Sequence, residues 1–345
     1  MNPNFERLRK VLLLEGTPDR VPLAELIVEP AVKEAFLGKK ITGMKEEVEF
    51  WYKAGYDYVS LCPPYDFKLT RLSSKSKTSV YSDDIVERGW ATEKNGMIQS
   101  LPDFEKHPWP KIEDVDFSCF IEVNKFLSPD MKIIARAGDI FTHVWEFMGF
   151  ENFSFALLEN VELIEKLFEQ IGSFIYRIFE KEVTFNNIGA LWYSDDIAYT
   201  EGLLVSPDVY RKYLFPWMKK IGDIAKKHNL PLLYHSDGKL WEVMDDLINC
   251  GINALHPMEP KGMDAKEVKS KYGNKLCLIG NIELDRLSRG TTEEITGLVI
   301  DRIKTLGKGG GYCVGSSNTV PEYVPLNNYK AMLEATFRYG EYATC

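Results

Sequence analysis

The sequence predicts an α/β chain of the (β/α)8 barrel type, on three observations. In the second half, apolar strand-like runs alternate at least four times with helical patterns across short connections. Such alternation implies parallel strands joined by crossover helices. Three further strand-like runs in the first half bring the count to eight. No Gly-x-Gly-x-x-Gly follows the first of them, so an open dinucleotide-type sheet lacks its main mark.

The elements follow in order. MNPNFERLRKVLLLEG reads as an amphipathic helix, with Phe5, Leu8, Val11 and Leu12 on one side. Strands are expected at Val21 to Ile27, Tyr58 to Leu61 and Lys132 to Ala135. Between the last two, Ser73 to Pro110 breaks the rhythm with polar residues and short alternating runs such as Ser79 to Ser82. It reads as an insertion of hairpins near the barrel mouth. Ile188 to Tyr193 is a strand ending in Ser194-Asp195-Asp196. Ser206-Pro207-Asp208 then starts a helix: serine can cap, proline suits the first turn, and aspartate favours the positive end of the dipole. Leu230 to Tyr234 is a strand ending at His235-Ser236-Asp237-Gly238. A helix from Leu240 to Cys250 leads to the strand Ala254-Leu255, which ends at His256-Pro257-Met258-Glu259. A helix from Ala265 to Tyr272 leads to the strand Leu276 to Ile279, which ends at Gly280-Asn281. Thr291 to Glu294 is a capping box. The last strand is Tyr312 to Val314, followed by Gly315 to Asn318.

The 345 residues, 45% hydrophobic and 27% charged, suffice for a large core. We expect one domain, 1–345. The net charge of −9 makes nucleic acid and anionic membrane surfaces poor partners, since both reward clustered positive charge. No apolar run approaches membrane-spanning length, and the N-terminus carries no secretory core. Six scattered cysteines without a Cys-x-x-Cys pair favour reduced thiols and a cytoplasmic location.

In barrels of this type, polar residues at the C-terminal ends of strands are the prime site candidates. Here they are Glu29, Cys62, Arg136, Asp139, Asp195, Asp196, His235, Asp237, His256, Glu259, Asn281, Glu283, Ser317 and Asn318. Singly, most such residues cap helices or tie loops. His235-Ser236-Asp237 is the most informative group. An imidazole and a carboxylate two positions apart can bind a metal, form a proton-transfer pair, or simply cap a helix beside a buried histidine; all three readings stay open. Asp195-Asp196 places adjacent carboxylates at the mouth, where one can have a raised pKa. Catalytic candidates are therefore Asp195, Asp196, His235 and Asp237. Cys313, inside the last predicted strand, reads as a buried apolar thiol. Gly309-Gly310-Gly311 precedes a strand and no Lys-Ser/Thr follows, so it is a poor phosphate cradle. His107, His143 and His228 read as structural or surface residues. Tyr193 and Tyr199 could line an aromatic pocket.

Several stretches carry a resemblance: Thr17-Pro18-Asp19-Arg20-Val21-Pro22; Ser206-Pro207 with Tyr210 and Phe215-Pro216; Gly280-Asn281-Ile282 with Gly290 to Glu294; and Pro321 to Asn328. In these the chain resembles the uroporphyrinogen decarboxylase superfamily over nearly its whole length, best after residue 188. The resemblance implies a (β/α)8 barrel, usually a homodimer. The superfamily contains true decarboxylases and corrinoid-dependent methyltransferases.

The decarboxylase branch has an arginine-rich segment after its first strand, which grips a polycarboxylate. Here Ala24 to Pro30 holds two acids, Glu25 and Glu29, and no arginine. Methyltransferases acting on thiols resemble His-x-Cys plus a later cysteine, which bind zinc. This chain has His235, then Asp237 in the cysteine's place, and Asn318 at the later position. Oxygen ligands make a harder, more Lewis-acidic site than thiolates do. The resemblance thus implies a component that demethylates a small, aromatic methyl ether and passes the methyl group to a corrinoid. No Asp-x-His-x-x-Gly motif is present, so the corrinoid is expected on a partner protein. Zinc, held by His235, Asp237 and Glu259, is the implied metal. Glu29, Arg136, Tyr193, Tyr199 and Asn318 are the expected substrate contacts. Two rivals remain: a decarboxylase of a smaller acid, bound through Arg136, and a non-catalytic paralog that binds a small molecule.

Overall fold

The structure, a computed structural model, describes residues 2–82, 86–90, 92–94 and 96–342. Its centre is a curled sheet of seven strands, all parallel, which we number β1 (Tyr58–Leu61), β2 (Lys132–Gly138), β3 (Ile188–Ser194), β4 (Leu232–His235), β5 (Ala254–His256), β6 (Cys277–Ile282) and β7 (Tyr312–Ser316). They pair in sequence order. Every residue of β1, β4, β5, β6 and β7 is buried, as expected of parallel strands covered on both faces.

The eighth strand, expected at Val21 to Ile27, does not form a ladder. Residues 21–28 touch β7 and the loop after it through two isolated bridges, Leu23 with Val314 and Val28 with Val320. On the other side they meet β1 through side chains. Tyr58 Oη accepts from Glu25 N (2.7 Å) and donates to Glu25 O (2.6 Å), and Ser60 Oγ donates to Leu26 O (2.9 Å). Two features account for the difference. Pro22 has no N–H to give, and Val21 N is drawn to Gly340 O near the C-terminus instead. The segment completes the circle with side chains where a ladder would stand.

The helices follow from local chemistry. Phe5–Leu12 buries Phe5, Leu8, Val11 and Leu12, as its pattern predicts. Ser206 Oγ accepts from Asp208 N, and Thr291 and Glu294 make both bonds of the capping box. Between β1 and β2, Leu72–Ser76 pairs antiparallel with Val86–Trp90; of residues 77–85, which join them, 83–85 lie outside the described residues. The alternating run Ser79 to Ser82 takes no part in this pair. Val80 N donates instead to Glu322 O (3.0 Å) and Tyr81 Oη to Val324 O, tying this stretch to the loop after β7. Cys313 is buried, its Sγ 3.9 Å from that of Cys277. Among the described residues no helix is long and apolar enough to cross a membrane.

Candidate metal centre at the strand ends

The polar residues at the strand ends lie closer to the sheet than the sequence suggests. His235 and His256 are the last residues of β4 and β5, direct partners in register. Strand alternation sorts the rest. Tyr193 stacks on Tyr234 and meets Phe179 of the helix Val161–Glu182, so this face of the sheet looks toward the helices. Arg136, Trp192, His235 and His256 share the opposite, interior face.

After His235 the chain turns sharply at Gly238, which has φ +86; a Cβ there would lie 2.6 Å from Tyr199 N. This turn brings Asp237 back over the strand ends. Its N–H donates to Asp196 Oδ1 (2.8 Å), and its Oδ2 accepts from Asn318 Nδ2 (2.6 Å). Its Oδ1 is buried and has no hydrogen-bond partner among the described residues. His235 Nε2 stands 3.7 Å from Asp196 Oδ1. One ligand atom from each of Asp196, His235 and Asp237 falls within 4.8 Å of the other two. Asp196 thus stands in the trio where Glu259 was anticipated. Glu259 lies alongside, its Oε2 accepting from Gly238 N (3.2 Å).

The electrostatics match this crowding. Burial pushes the Asp237 carboxyl up to about 8, with the charges of Asp196 and Glu259 adding to the rise and the Asn318 bond opposing it. Burial holds the His235 imidazole below its ordinary value, against the pull of Asp196. His235 Nδ1 lies 2.7 Å from His256 Nδ1. His256 is fully buried, its ring perpendicular to Trp192 at 5.1 Å, and its Nε2 has no hydrogen-bond partner among the described residues. The sequence marked His256 as a strand-end residue but gave no sign of this pairing.

Other anticipated residues do different things. Asp195 is fully buried and accepts from Phe141 N (2.7 Å), Thr142 N (3.0 Å), Thr142 Oγ1 (2.9 Å) and Tyr193 Oη (2.6 Å). It satisfies the first turn of the helix Ile140–Met148, and Tyr193 is engaged with it rather than with the mouth. Burial raises the Asp195 carboxyl to about 6 despite these four bonds. Glu29 accepts from Glu322 N (2.7 Å), and Glu25 from Ser316 N and Oγ (2.5 and 2.7 Å). Glu25 is thereby tied to the end of β7. It is fully buried at the seam, and burial lifts its pKa to about 8. Arg136 Nε is buried without a hydrogen-bond partner among the described residues. Tyr199 is 53% exposed beside the Gly238 turn. Burial pushes the Cys62 thiol up to about 12, which disfavours a reactive thiolate. Next to the trio is a cavity of about 180 Å³, lined by Asp237, Glu259, Glu283, Leu284, Ser317 and Asn318 among others.

The model of the uroporphyrinogen decarboxylase (URO-D) family matches residues 100–339. Uroporphyrinogen decarboxylases of Coxiella burnetii are 23% identical over 150 residues, which is 41% of this chain and 39% of theirs. The chain thus matches about two fifths of the length of these curated relatives. A methyltransferase from Methanosarcina mazei has the same fold, with a TM-score of 0.70, 17% identity, and coverage of 98% of this chain and 99% of that one.

Proposed function

The chain belongs to the uroporphyrinogen decarboxylase family, and from that premise we propose that it is a methyltransferase, moving a methyl group from a small aromatic methyl ether to the cobalt of a separate corrinoid protein. The observation that carries this reading is the trio Asp196, His235 and Asp237, with a buried Asp237 oxygen lacking any donor.

That oxygen asks for a positive partner. Its charged neighbours, Asp196 and Glu259, are both acids, and a buried carboxylate oxygen without a donor is costly. Two carboxylates and one imidazole suit a divalent cation, and three protein ligands leave a position open for substrate. We assign zinc to His235, Asp237 and Asp196, with Glu259 beside them. Bound there, zinc supplies Lewis acidity toward the ether oxygen, and the partner's corrinoid supplies a nucleophile for the methyl carbon. The chain's own residues do the rest. Asn318 holds Asp237 through Oδ2, and the Asp237 N–H holds Asp196.

The shape and charge of the mouth agree with a small neutral donor. A cavity of about 150 Å³ is enough for benzene, so 180 Å³ suits a single ring. Its lining includes Asp237, Glu259, Glu283 and Asp285 against the single cation Lys261, a poor receptor for a polycarboxylate. This reading takes the chain as one domain, in the cytoplasm, working as a homodimer. The main rival, decarboxylation of a smaller acid, rests on Arg136 with its partnerless Nε on the interior face.

Elemental analysis of untagged protein, with a methyl-transfer assay on methoxyarenes and a corrinoid protein, tests the proposal. Near-stoichiometric zinc is expected, with both metal and activity lost in His235→Ala and in Asp237→Ala. Full activity in either variant would sink the assignment. Release of CO2 from a carboxylate substrate, with no methyl transfer, would favour the rival.

A further inference from the structure

The two histidines at the ends of β4 and β5 pose a question of protons. Their Nδ1 atoms are 2.7 Å apart, so one must donate and the other accept, because two N–H groups or two lone pairs cannot face each other at that distance. Both rings are buried, and among the described residues no carboxylate is hydrogen-bonded to His256, so the contact is that of one shared proton between two neutral rings. Two neutral arrangements then exist. In one, His256 donates to His235, and His235 carries its proton on Nε2, the nitrogen that faces Asp196. In the other, His235 donates to His256, and its Nε2 presents a lone pair to the trio. A metal ion can be held only in the second.

We propose that His256 is a positioning residue: its Nδ1 accepts the proton of His235 Nδ1 and so holds His235 with the Nε2 lone pair facing Asp196 and Asp237. The inference rests on the metal reading given above. A metal-bound histidine usually finds this support in a carboxylate or a backbone carbonyl. A neutral imidazole differs in charge. Asp196 and Asp237 already balance a divalent cation, and a third carboxylate would leave a buried negative charge. His256 supplies the acceptor without adding to that balance. Trp192, perpendicular to the His256 ring at 5.1 Å, fixes its plane.

The test measures zinc binding to the full-length protein by competition with a chromophoric chelator, in wild type, His256→Leu and His256→Asn. Asparagine keeps an acceptor near the position of Nδ1; leucine does not. Zinc affinity should fall roughly 10- to 100-fold in His256→Leu and stay close to wild type in His256→Asn. The melting temperature of the metal-free proteins separates lost orientation from lost fold. Nitrogen NMR of the zinc-loaded wild type should find the His235 Nδ1 proton coupled across its hydrogen bond to His256 Nδ1, a readout that survives even if the leucine variant does not fold. Unchanged affinity in a folded His256→Leu, or no coupling between the two Nδ1 atoms in the zinc-loaded protein, would overturn the role of His256 while leaving the metal site standing; a proton on His235 Nε2 in the zinc-loaded protein would overturn His235 as a ligand, and this inference with it. Failure of the wild type to bind zinc would overturn the site, and this inference with it.

Discussion

Asp195 and Asp196 are neighbours in sequence and point to different places. Asp195 is enclosed by four donors; the Asp196 side chain is 51% exposed and accepts from Asp237 N. Strand pleating at the end of β3 separates them, and no adjacency rule in the sequence could have said which faced the mouth. Asp195→Ala would leave Phe141 N, Thr142 N and Tyr193 Oη without an acceptor in a buried place. We expect a loss of about 2–4 kcal/mol in urea denaturation, with zinc content unchanged; loss of zinc at full stability would instead make Asp195 part of the site. Glu25 gives a pH signature. Its folded pKa of about 8 lies above the ordinary 4.5, so the native state holds the proton longer than the unfolded chain does. Its contribution to stability is full below pH 4.5 and is lost as pH rises through about 8, a total on the order of 5 kcal/mol. Glu25→Gln should flatten that slope between pH 5 and 8; identical slopes would show that Glu25 does not carry it.

At the scale of elements, Gly280 shows why β6 admits no substitute. Its φ is +98, and a Cβ would come within 2.4 Å of Pro257 O and 2.6 Å of Ser316 O, the backbones on either side. Gly280→Ala should cost roughly 2–5 kcal/mol, read from the denaturation midpoint; a midpoint shift near zero would mean that the strand ends yield freely enough to admit a methyl group. The existence and order of the strands were legible because apolar runs mark them. Their ends were less so. β4, β5 and β6 extend one to three residues beyond the predicted limits, taking in His235, His256 and Asn281. Hydrophobicity stops where side chains reach the mouth, but backbone pairing continues, and a sequence pattern registers only the first. The proximity of His235 to Asp237 was legible from spacing. The addition of Asp196 and His256 was not, because it depends on register between strands about 20 to 40 residues apart in the chain.

For the whole molecule, the circle closes at residues 21–28. Their burial was legible, since Val21, Leu23, Ala24 and Leu26 form an apolar run. The manner of closure was not, because it rests on Tyr58 and Ser60, far along the chain. Tyr58→Phe would strip Glu25 N of its acceptor and should destabilise by about 1–3 kcal/mol. Amide exchange at residues 23–27 should quicken in that variant while β3 and β4 stay protected. Uniform quickening would mean that the sheet opens as one body.

This closure also sets where water would enter first. Water competes readily for a hydroxyl's hydrogen bond, whereas a continuous ladder yields only when several bonds break together. Hydration should therefore begin beside Tyr58 and Ser60. In the order of the circle, the segment is followed by β1, β2, β3 and β4, and on the other side by β7, β6 and β5 before β4 again. β4, which carries His235, is the strand diametrically opposite. A cask pegged along one stave leaks there, and the histidine that anchors the chemistry stands on the stave farthest from the leak.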